Sequence, residues 1–317
     1  MRVSVAATAR LHLGFLDMNG GLGRRFGGIG LSLENPATRL TLSPAASTRV
    51  EGAEQARAEK LLDKALEALA PGRRVHLVVH EAIPAHAGLG SGTQLALAVA
   101  SAVRRLADLP NDPVGDAALM ERGARSGLGA GLFETGGVVV DGGRGAHTRT
   151  PPVIARATFP EDWRILLICD DGAGLHGADE KEAFAALPAL GEAACGELSR
   201  RVLMQALPAL AERDLPAFGA AIGRIQEIVG DYFAPAQGGR RFTSARVEAA
   251  AERLITAGAV GQGQTSWGPT GFVFVESEAE AQRLQALALS VAKDVRVVVA
   301  RARNRGANID AVYAEMA

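Results

Sequence analysis

From Val3 to Ala9, and again from Gly30 to Leu42, apolar residues alternate or cluster as in strands, with turns at Gly20-Gly21-Leu22-Gly23 and Gly27-Gly28 between them. The period then lengthens. Leucines and alanines at helical spacing run from Ala53 to Leu69 and stop at Pro71-Gly72; a strand follows at Val75 to His80, and an alanine-rich helix from Gln94 to Leu109. Val114 to Arg125 predicts a further helix, and Gly136 to Gly143 a short strand bracketed by turns. Two prolines at Pro151-Pro152 force extended backbone, so the domain junction is expected there, dividing the chain into 1–152 and 153–317. Beyond it the pattern predicts a buried strand at Trp163 to Cys169 and helical material from Lys181 to Glu212, interrupted near Pro188 and Pro208. A helix at Thr243 to Thr256, a strand at Gly271 to Val275, a helix at Ser277 to Ser290 and a strand at Val295 to Ala300 complete the pattern. That order is what a ferredoxin-like α+β layer gives.

The loop between the strand ending near His80 and its helix is Pro84-Ala85-His86-Ala87-Gly88-Leu89-Gly90-Ser91-Gly92-Thr93. Glycines at a helix N-terminus let backbone N–H groups approach an anion, and the helix dipole adds partial positive charge there. Gly88 to Thr93 is therefore a candidate phosphate cradle, with Ser91 and Thr93 adding hydroxyls for a phosphate oxygen or a metal. A tight connection with no ligand would use glycine too. No lysine follows, so this is not a Walker loop, nor are the glycines spaced as in a dinucleotide fold.

Composition narrows the class. The chain has 317 residues, 48% hydrophobic and 22% charged, with a formal net charge of -1, which excludes a globally basic nucleic-acid binder. No apolar run approaches the ~20 residues of a membrane span, and Met1 to Val5 reads as a strand, not a signal peptide. Cys169 and Cys195 lack metal-ligand spacing and suit a reducing compartment, so a cytoplasmic protein is expected.

Four further segments place polar residues where packing alone would not. With the first strand ending near Ala9, Arg10, His12 and Asp17 emerge at its mouth with Arg24 and Arg25 nearby, a cluster suited to an anionic substrate. The alternative is solvated loop charge with His12 packed in the core. In Arg125-Ser126-Gly127 to Gly137, Arg125 and Glu134 either face a ligand or pair with each other. Asp170-Asp171-Gly172 to Glu180 carries carboxylates and His176 on a loop leaving a strand, fit for magnesium or acid/base work, although Asp179 and Glu180 also suit a helix cap. Gly261 to Gly271 holds Ser266 and Trp267 in a glycine-rich turn, where the indole is either a face for a planar ligand or a buried anchor. Arg301-Ala302-Arg303-Asn304-Arg305 is a substrate clamp or a surface charge run.

The loop and the α+β halves resemble the GHMP kinase superfamily. Arg10-Leu11-His12, Gly27-Gly28-Ile29-Gly30, His86 to Gln94, Arg125-Ser126-Gly127, Gly263-Gln264-Thr265-Ser266-Trp267-Gly268-Pro269-Thr270 and Ala302 to Ala307 sharpen it to the β-ribofuranosylaminobenzene 5′-phosphate synthase branch. The resemblance implies an α+β, two-domain GHMP kinase-like fold, with a ribosomal protein S5 domain 2-like N-terminal domain carrying the loop at 84–93 and a ferredoxin-like C-terminal domain. It implies a phosphoribosyltransferase of tetrahydromethanopterin biosynthesis, joining phosphoribosyl diphosphate to 4-aminobenzoate or 4-hydroxybenzoate with release of carbon dioxide and diphosphate. Magnesium as cofactor and a homodimer come with it.

The roles this implies are specific. Gly88, Leu89, Gly90, Ser91, Gly92 and Thr93 would hold the diphosphate; Arg10, Arg25, Arg125, Arg303 and Arg305 would clamp the ribose phosphate and the carboxylate, with Ser126 and Ser266 beside them. Asp17, Asp171, Glu134 or Ser91 would serve magnesium, His12 or His176 would bond the para substituent, and Trp267 would stack on the ring. Kinases of the mevalonate type carry a catalytic aspartate in a Gly-x-Asp pattern where this chain has Ser126-Gly127-Leu128-Gly129-Ala130, with no carboxylate until Glu134. That departure disfavours the rival reading, an ATP-dependent small-molecule kinase. A non-catalytic ligand-binding protein is the remaining alternative.

Overall fold

The computed structural model describes residues 1–172, 174, 177–291 and 294–312. In the first layer the strands are β1 (Arg2–Asp17), β2 (Arg24–Pro44), β3 (Arg49–Gly52), β4 (Val75–Glu81), β5 (Val138–Asp141), β6 (Arg144–Gly145) and β7 (Val153–Ala157), interleaved with the helices α1 (Gln55–Leu69), α2 (Ser91–Leu106), α3 (Pro113–Leu119) and α4 (Leu128–Thr135). The second layer comprises β8 (Arg164–Cys169), α5 (Gly177–Ala186), α6 (Glu192–Arg201), a π-helical turn, α7 (Leu207–Glu212), α8 (Leu215–Phe233), α9 (Ala245–Thr256), β9 (Val260–Gln264), β10 (Gly271–Val275), α10 (Glu278–Val291) and β11 (Arg296–Ala300). β12 (Asn308–Val312) follows.

The first sheet runs β12-β1-β2-β4-β3, and β2 also pairs with β5 and β6. β1 does not end near Ala9. Its register with β2 passes through irregularities at Thr8/Arg10 and His12/Gly14 and continues to Asp17 opposite Phe26. The alternation that marks Val3 to Ala7 is lost beyond Arg10 because both faces of the strand become covered: Leu11 to Leu16 are all buried. α8 lies against this half, with Gln226 Nε2 donating to the Leu13 carbonyl (2.8 Å). β1 thus crosses from one core to another. Val3, Val5 and Ala7 pack with Leu62 of α1 and Leu97 of α2, whereas Leu11, Leu13 and Phe15 pack with Phe218, Ile222 and Ile225 of α8.

The second sheet is antiparallel in the order β11-β8-β10-β9. Taking these strands in chain order, that is 4-1-3-2, the ferredoxin-like arrangement. Leu166, Val273 and Val297 bury one face against α9 and α10, while Ile165, Leu167 and Phe274 bury the other against α8. The α+β GHMP kinase-like class follows from these two layers.

The junction does not fall at Pro151-Pro152. β7, beyond the prolines, pairs with β5 from Val138↔Ala157 to Asp141↔Val153, so the prolines introduce an edge strand of the first sheet, where extended backbone without an N–H is tolerated. β12 then returns from the second layer to pair with β1 from Arg2↔Val312 to Ala6↔Asn308. The first sheet therefore draws on both sides of the expected boundary. The interruption expected near Pro208 takes the form of the π-helical turn at Val202–Ala206, after which Pro208 stands in the first turn of α7. Among the described residues, no helix is long and apolar enough to cross a membrane.

Candidate active site

The glycine-rich loop leads from β4 into α2, whose N-cap, Gly90, has φ 79° and no side-chain cap, and whose first turn holds no acidic residue. The helix thus presents its positive end without an internal counter-charge. Two neighbours fix the loop. The Arg10 backbone N–H donates to the Leu89 carbonyl (3.1 Å) and its Nη1 to the Gly88 carbonyl (2.7 Å). From the second layer, Thr265 Oγ1 also donates to the Gly88 carbonyl (3.0 Å) and accepts from the His12 backbone N–H (2.9 Å). Gly88 itself has φ +73°, and a Cβ there would stand 2.4 Å from the Thr265 carbonyl oxygen, so close approach and backbone conformation both demand glycine.

Beside the loop opens a cavity of about 660 Å³ bordered by Arg10, His12, Thr93, Arg125, Ser126 and Ser266. A shallower pocket of about 180 Å³ at the loop itself shares Arg10, Thr93 and Ser266 with it and adds Gly88, Gly90, Ser91 and Gly92. Leu89 lies behind, its side chain in the core. The seven motif residues Arg10, His12, Ser91, Thr93, Arg125, Ser126 and Ser266, remote in sequence, meet at these two spaces.

Electrostatics distinguish the members. His12 is 5% exposed and its Nε2 has no hydrogen-bond partner. Burial, and then the charge of Arg10, push its pKa down to about 3, so the imidazole is neutral at ordinary pH. Burial lowers Arg10 to about 10, with Glu180 opposing, and Arg10 stays cationic. Arg125 pairs with Glu180 (2.9 Å), not with Glu134, and its guanidinium lies 4.6 Å from the centre of the Phe184 ring. Ser126 donates to Asp141 (2.9 Å), which also accepts from the backbone N–H groups of Gly127 (3.1 Å) and Gly143 (2.9 Å); burial raises this carboxyl, and those bonds oppose the rise. Ser126 therefore holds the start of α4 in place.

Other expected residues lie elsewhere. Asp17 accepts from the Asn19 and Gly20 N–H groups (2.7 and 2.8 Å) and shapes the β1–β2 turn. Arg25 stands 5.4 Å from the Phe26 ring centre and borders neither space. Glu134 pairs on the surface with Arg156 (3.4 Å). Trp267 borders the shallower pocket, but it is 3% exposed and its indole packs against Phe184 and Phe233 (centroids 5.2 and 4.4 Å), the buried-anchor alternative. Arg303, 4% exposed, bonds Glu34 (2.9 Å) and the Arg305 and Gly306 carbonyls, tying the segment before β12 to the first sheet; Arg305 is exposed and borders neither space. Asp171 borders a separate cavity behind the loop. His176 lies outside the described residues. Among the described residues no group of three or more His, Cys, Asp or Glu could hold a metal.

Sequence reasoning misses Phe15, Phe184, Met120 and Arg122, which border the larger cavity, and takes Glu180 for a cap. Phe15 and Phe184 form an apolar wall, their rings edge-on at 6.1 Å, with His12 4.4 Å from Phe15. No motif announces these residues; β1 and α5 bring them together only in the fold.

The GHMP kinases N terminal domain family matches residues 56–138, and the GHMP kinases C terminal family matches residues 206–288. The chain superposes on homoserine kinase from Cytophaga hutchinsonii with TM-score 0.67 and 15% identity, covering 98% of this chain and 97% of that one. It superposes on mevalonate diphosphate decarboxylase from Staphylococcus aureus with TM-score 0.67 and 14% identity, covering 98% of each chain. At such identities these neighbours establish the fold. Nearer relatives are the β-ribofuranosylphenol 5′-phosphate synthase of Methanothermobacter thermautotrophicus, 31% identical over 94% of this chain and 96% of that protein, and the protein of the same name from Archaeoglobus fulgidus, 32% identical over 95% and 97%. With its two-layer fold, its loop and its near full-length matches, the chain belongs to the β-ribofuranosylphenol 5′-phosphate synthase family, enzymes of the pentosyltransferase type.

Proposed function

We propose that the enzyme transfers ribose 5-phosphate from phosphoribosyl diphosphate to 4-hydroxybenzoate, releasing carbon dioxide and diphosphate, at the opening of tetrahydromethanopterin biosynthesis. The observation that carries this reading is one cavity that combines cationic Arg10 and Arg125 with the neutral, unpartnered His12 and an apolar wall. Two anions and one aromatic ring need those three provisions. The relatives' names, which specify a ribosylated phenol, favour the hydroxy acid over 4-aminobenzoate.

The C1–oxygen bond of the ribose breaks and its electron pair leaves with diphosphate. The ring carbon bearing the carboxylate supplies the electrons of the new C–C bond, and loss of carbon dioxide returns a pair to the ring and restores aromaticity. Arg10 and Arg125 bind the ribose phosphate and the carboxylate, and the N-terminus of α2 receives the leaving group. Phe15 and Phe184 support the ring, with His12 Nε2 exchanging a hydrogen bond with the para hydroxyl. Among the described residues there is no three-carboxylate cage; magnesium would come bound to the diphosphate substrate, and the Ser91 and Thr93 hydroxyls would be the groups of this chain beside it.

The test is carbon dioxide and diphosphate release by purified protein given phosphoribosyl diphosphate, magnesium and either 4-hydroxybenzoate or 4-aminobenzoate, with ATP and common alcohols in parallel. Equal release of both products with the hydroxy acid is expected. Silence there, with ADP formed in the parallel assay, would replace the reading by a kinase.

A further inference from the structure

Two arginines outside every motif meet over the first turn of α2. A Cβ on Gly92 would stand 2.4 Å from Nη2 of Arg57 and 3.8 Å from Cζ of Arg122, so both guanidiniums close on this one residue, from α1 and from the turn after α3. Like charges gathered in one place need a counter-anion, and the chain supplies little. Arg57 has Glu54 at 3.3 Å. Arg122 makes no ion pair or side-chain hydrogen bond among the described residues, and its Nε is buried without a partner. Its neighbour Glu121 turns away to Lys64 (2.6 Å). Burial, and then the charge of Arg57, lower the pKa of Arg122. Arg122 borders both the cavity and the loop pocket. Glu121 acts on Arg122 but is itself paired with Lys64, and Glu180, which borders both spaces, is paired with Arg125; two guanidiniums and a helix N-terminus against Glu54 therefore leave an excess of positive charge that a singly charged carboxylate would not balance.

We propose that Arg57 and Arg122 clamp a diphosphate group over Ser91 and Gly92. Resting on the transfer reaction above, this assigns the leaving group of the sugar donor to the outer end of the loop, and Arg10 and Arg125 to the other anions. Gly92 is then the residue that lets Arg57 reach the phosphate.

The test is calorimetric titration of the full chain with magnesium and inorganic diphosphate, and separately with 4-hydroxybenzoate, phosphoribosyl diphosphate and ATP. Arg57→Gln and Arg122→Gln are each expected to weaken diphosphate and phosphoribosyl diphosphate about tenfold or more, as loss of a charge-assisted fork does, with 4-hydroxybenzoate changed less than about twofold. Arg57→Lys and Arg122→Lys keep the charge and drop the fork; if the glutamine variants fold poorly, selective weakening of diphosphate in the lysine pair supports the clamp in their place. Diphosphate affinity unchanged in all four variants, or no diphosphate binding by the unaltered protein, overturns the clamp. ATP bound with that sensitivity while phosphoribosyl diphosphate is not bound overturns the sugar donor as occupant. Clamping without turnover leaves the clamp standing and removes the transfer reaction.

Discussion

At the scale of single residues, His12 carries the sharpest consequence. Its native pKa of about 3 lies well below the ~6.5 of an unfolded chain, so below pH ~6.5 the unfolded state takes up a proton that the folded state refuses. The stability associated with the neutral imidazole is complete above that pH and is lost as pH falls, by up to about 1.4 kcal/mol per unit, down towards the native value. His12→Gln is therefore expected to lose less stability between pH 7 and pH 5 than the unaltered protein in urea titrations; equal losses would mean that His12 titrates normally. Trp267 makes the opposite case. Trp267→Ala is expected to cost about 3–5 kcal/mol of stability by emptying an aromatic core site. Trp267→Phe should keep most of the stability and an unchanged KM for the aromatic acid, whereas a KM raised tenfold in a well-folded Phe variant would restore the stacking role.

These residues also show what is legible in the sequence. Arg125 and Ser266 can be picked out because each stands beside closely spaced glycines, which mark backbone that something approaches closely, and Arg10 because it is a charge at the expected end of the first strand. Trp267 stands in the same kind of context, and Arg303 in a run of arginines, without serving the cavity. An indole or guanidinium among glycines serves a ligand or its own core equally well, and only burial decides between them. Phe15, Phe184, Arg57 and Arg122 leave no local signal, since their roles come from contacts between distant segments.

At the scale of elements, the turn at Thr265 to Gly268 is a fastener. Thr265 is fully buried, and its hydroxyl joins β1 to the glycine loop through His12 and Gly88. Thr265→Val keeps the shape and leaves the His12 N–H without its acceptor, costing about 1–3 kcal/mol. Thr265→Ser should restore most of that in the same thermal melts, and a Val variant as stable as the original would show the link to be dispensable. Elements whose faces alternate or whose apolar residues keep helical spacing, such as β4 and α1, are legible. β9 reads as a turn because Gly261 and Gly263 give it no strand character of its own; its pairing with β10 makes it a strand. α8 goes unread in the sequence, although Asp214 accepts from the Ala217 N–H (2.9 Å), the start signal of a helix with proline in its first turn.

At the scale of the whole molecule, the two layers are not independent bodies. One core cluster takes in Leu11 and Phe15 of β1 together with Phe218 of α8 and Phe274 of β10, and β12 closes on β1. A single calorimetric transition, with van't Hoff and calorimetric enthalpies in agreement, is expected on heating; two resolved transitions would contradict this shared core.

The path of β1 also sets a timetable. It is made early in synthesis, yet the partners that complete it come from Gln226, Thr265 and the strand at Asn308–Val312, more than two hundred residues later. Loop closure over such distances is slow, and N-terminal segments wait while the ribosome adds residues. Through that interval the stretch from Arg10 to Phe15 lacks its helix, and Arg2 to Ala6 lacks its outer strand. The candidate cleft is therefore among the last features of this protein to exist, and a chain stalled before residue 308 leaves unpaired the β1 edge that β12 covers in the finished enzyme.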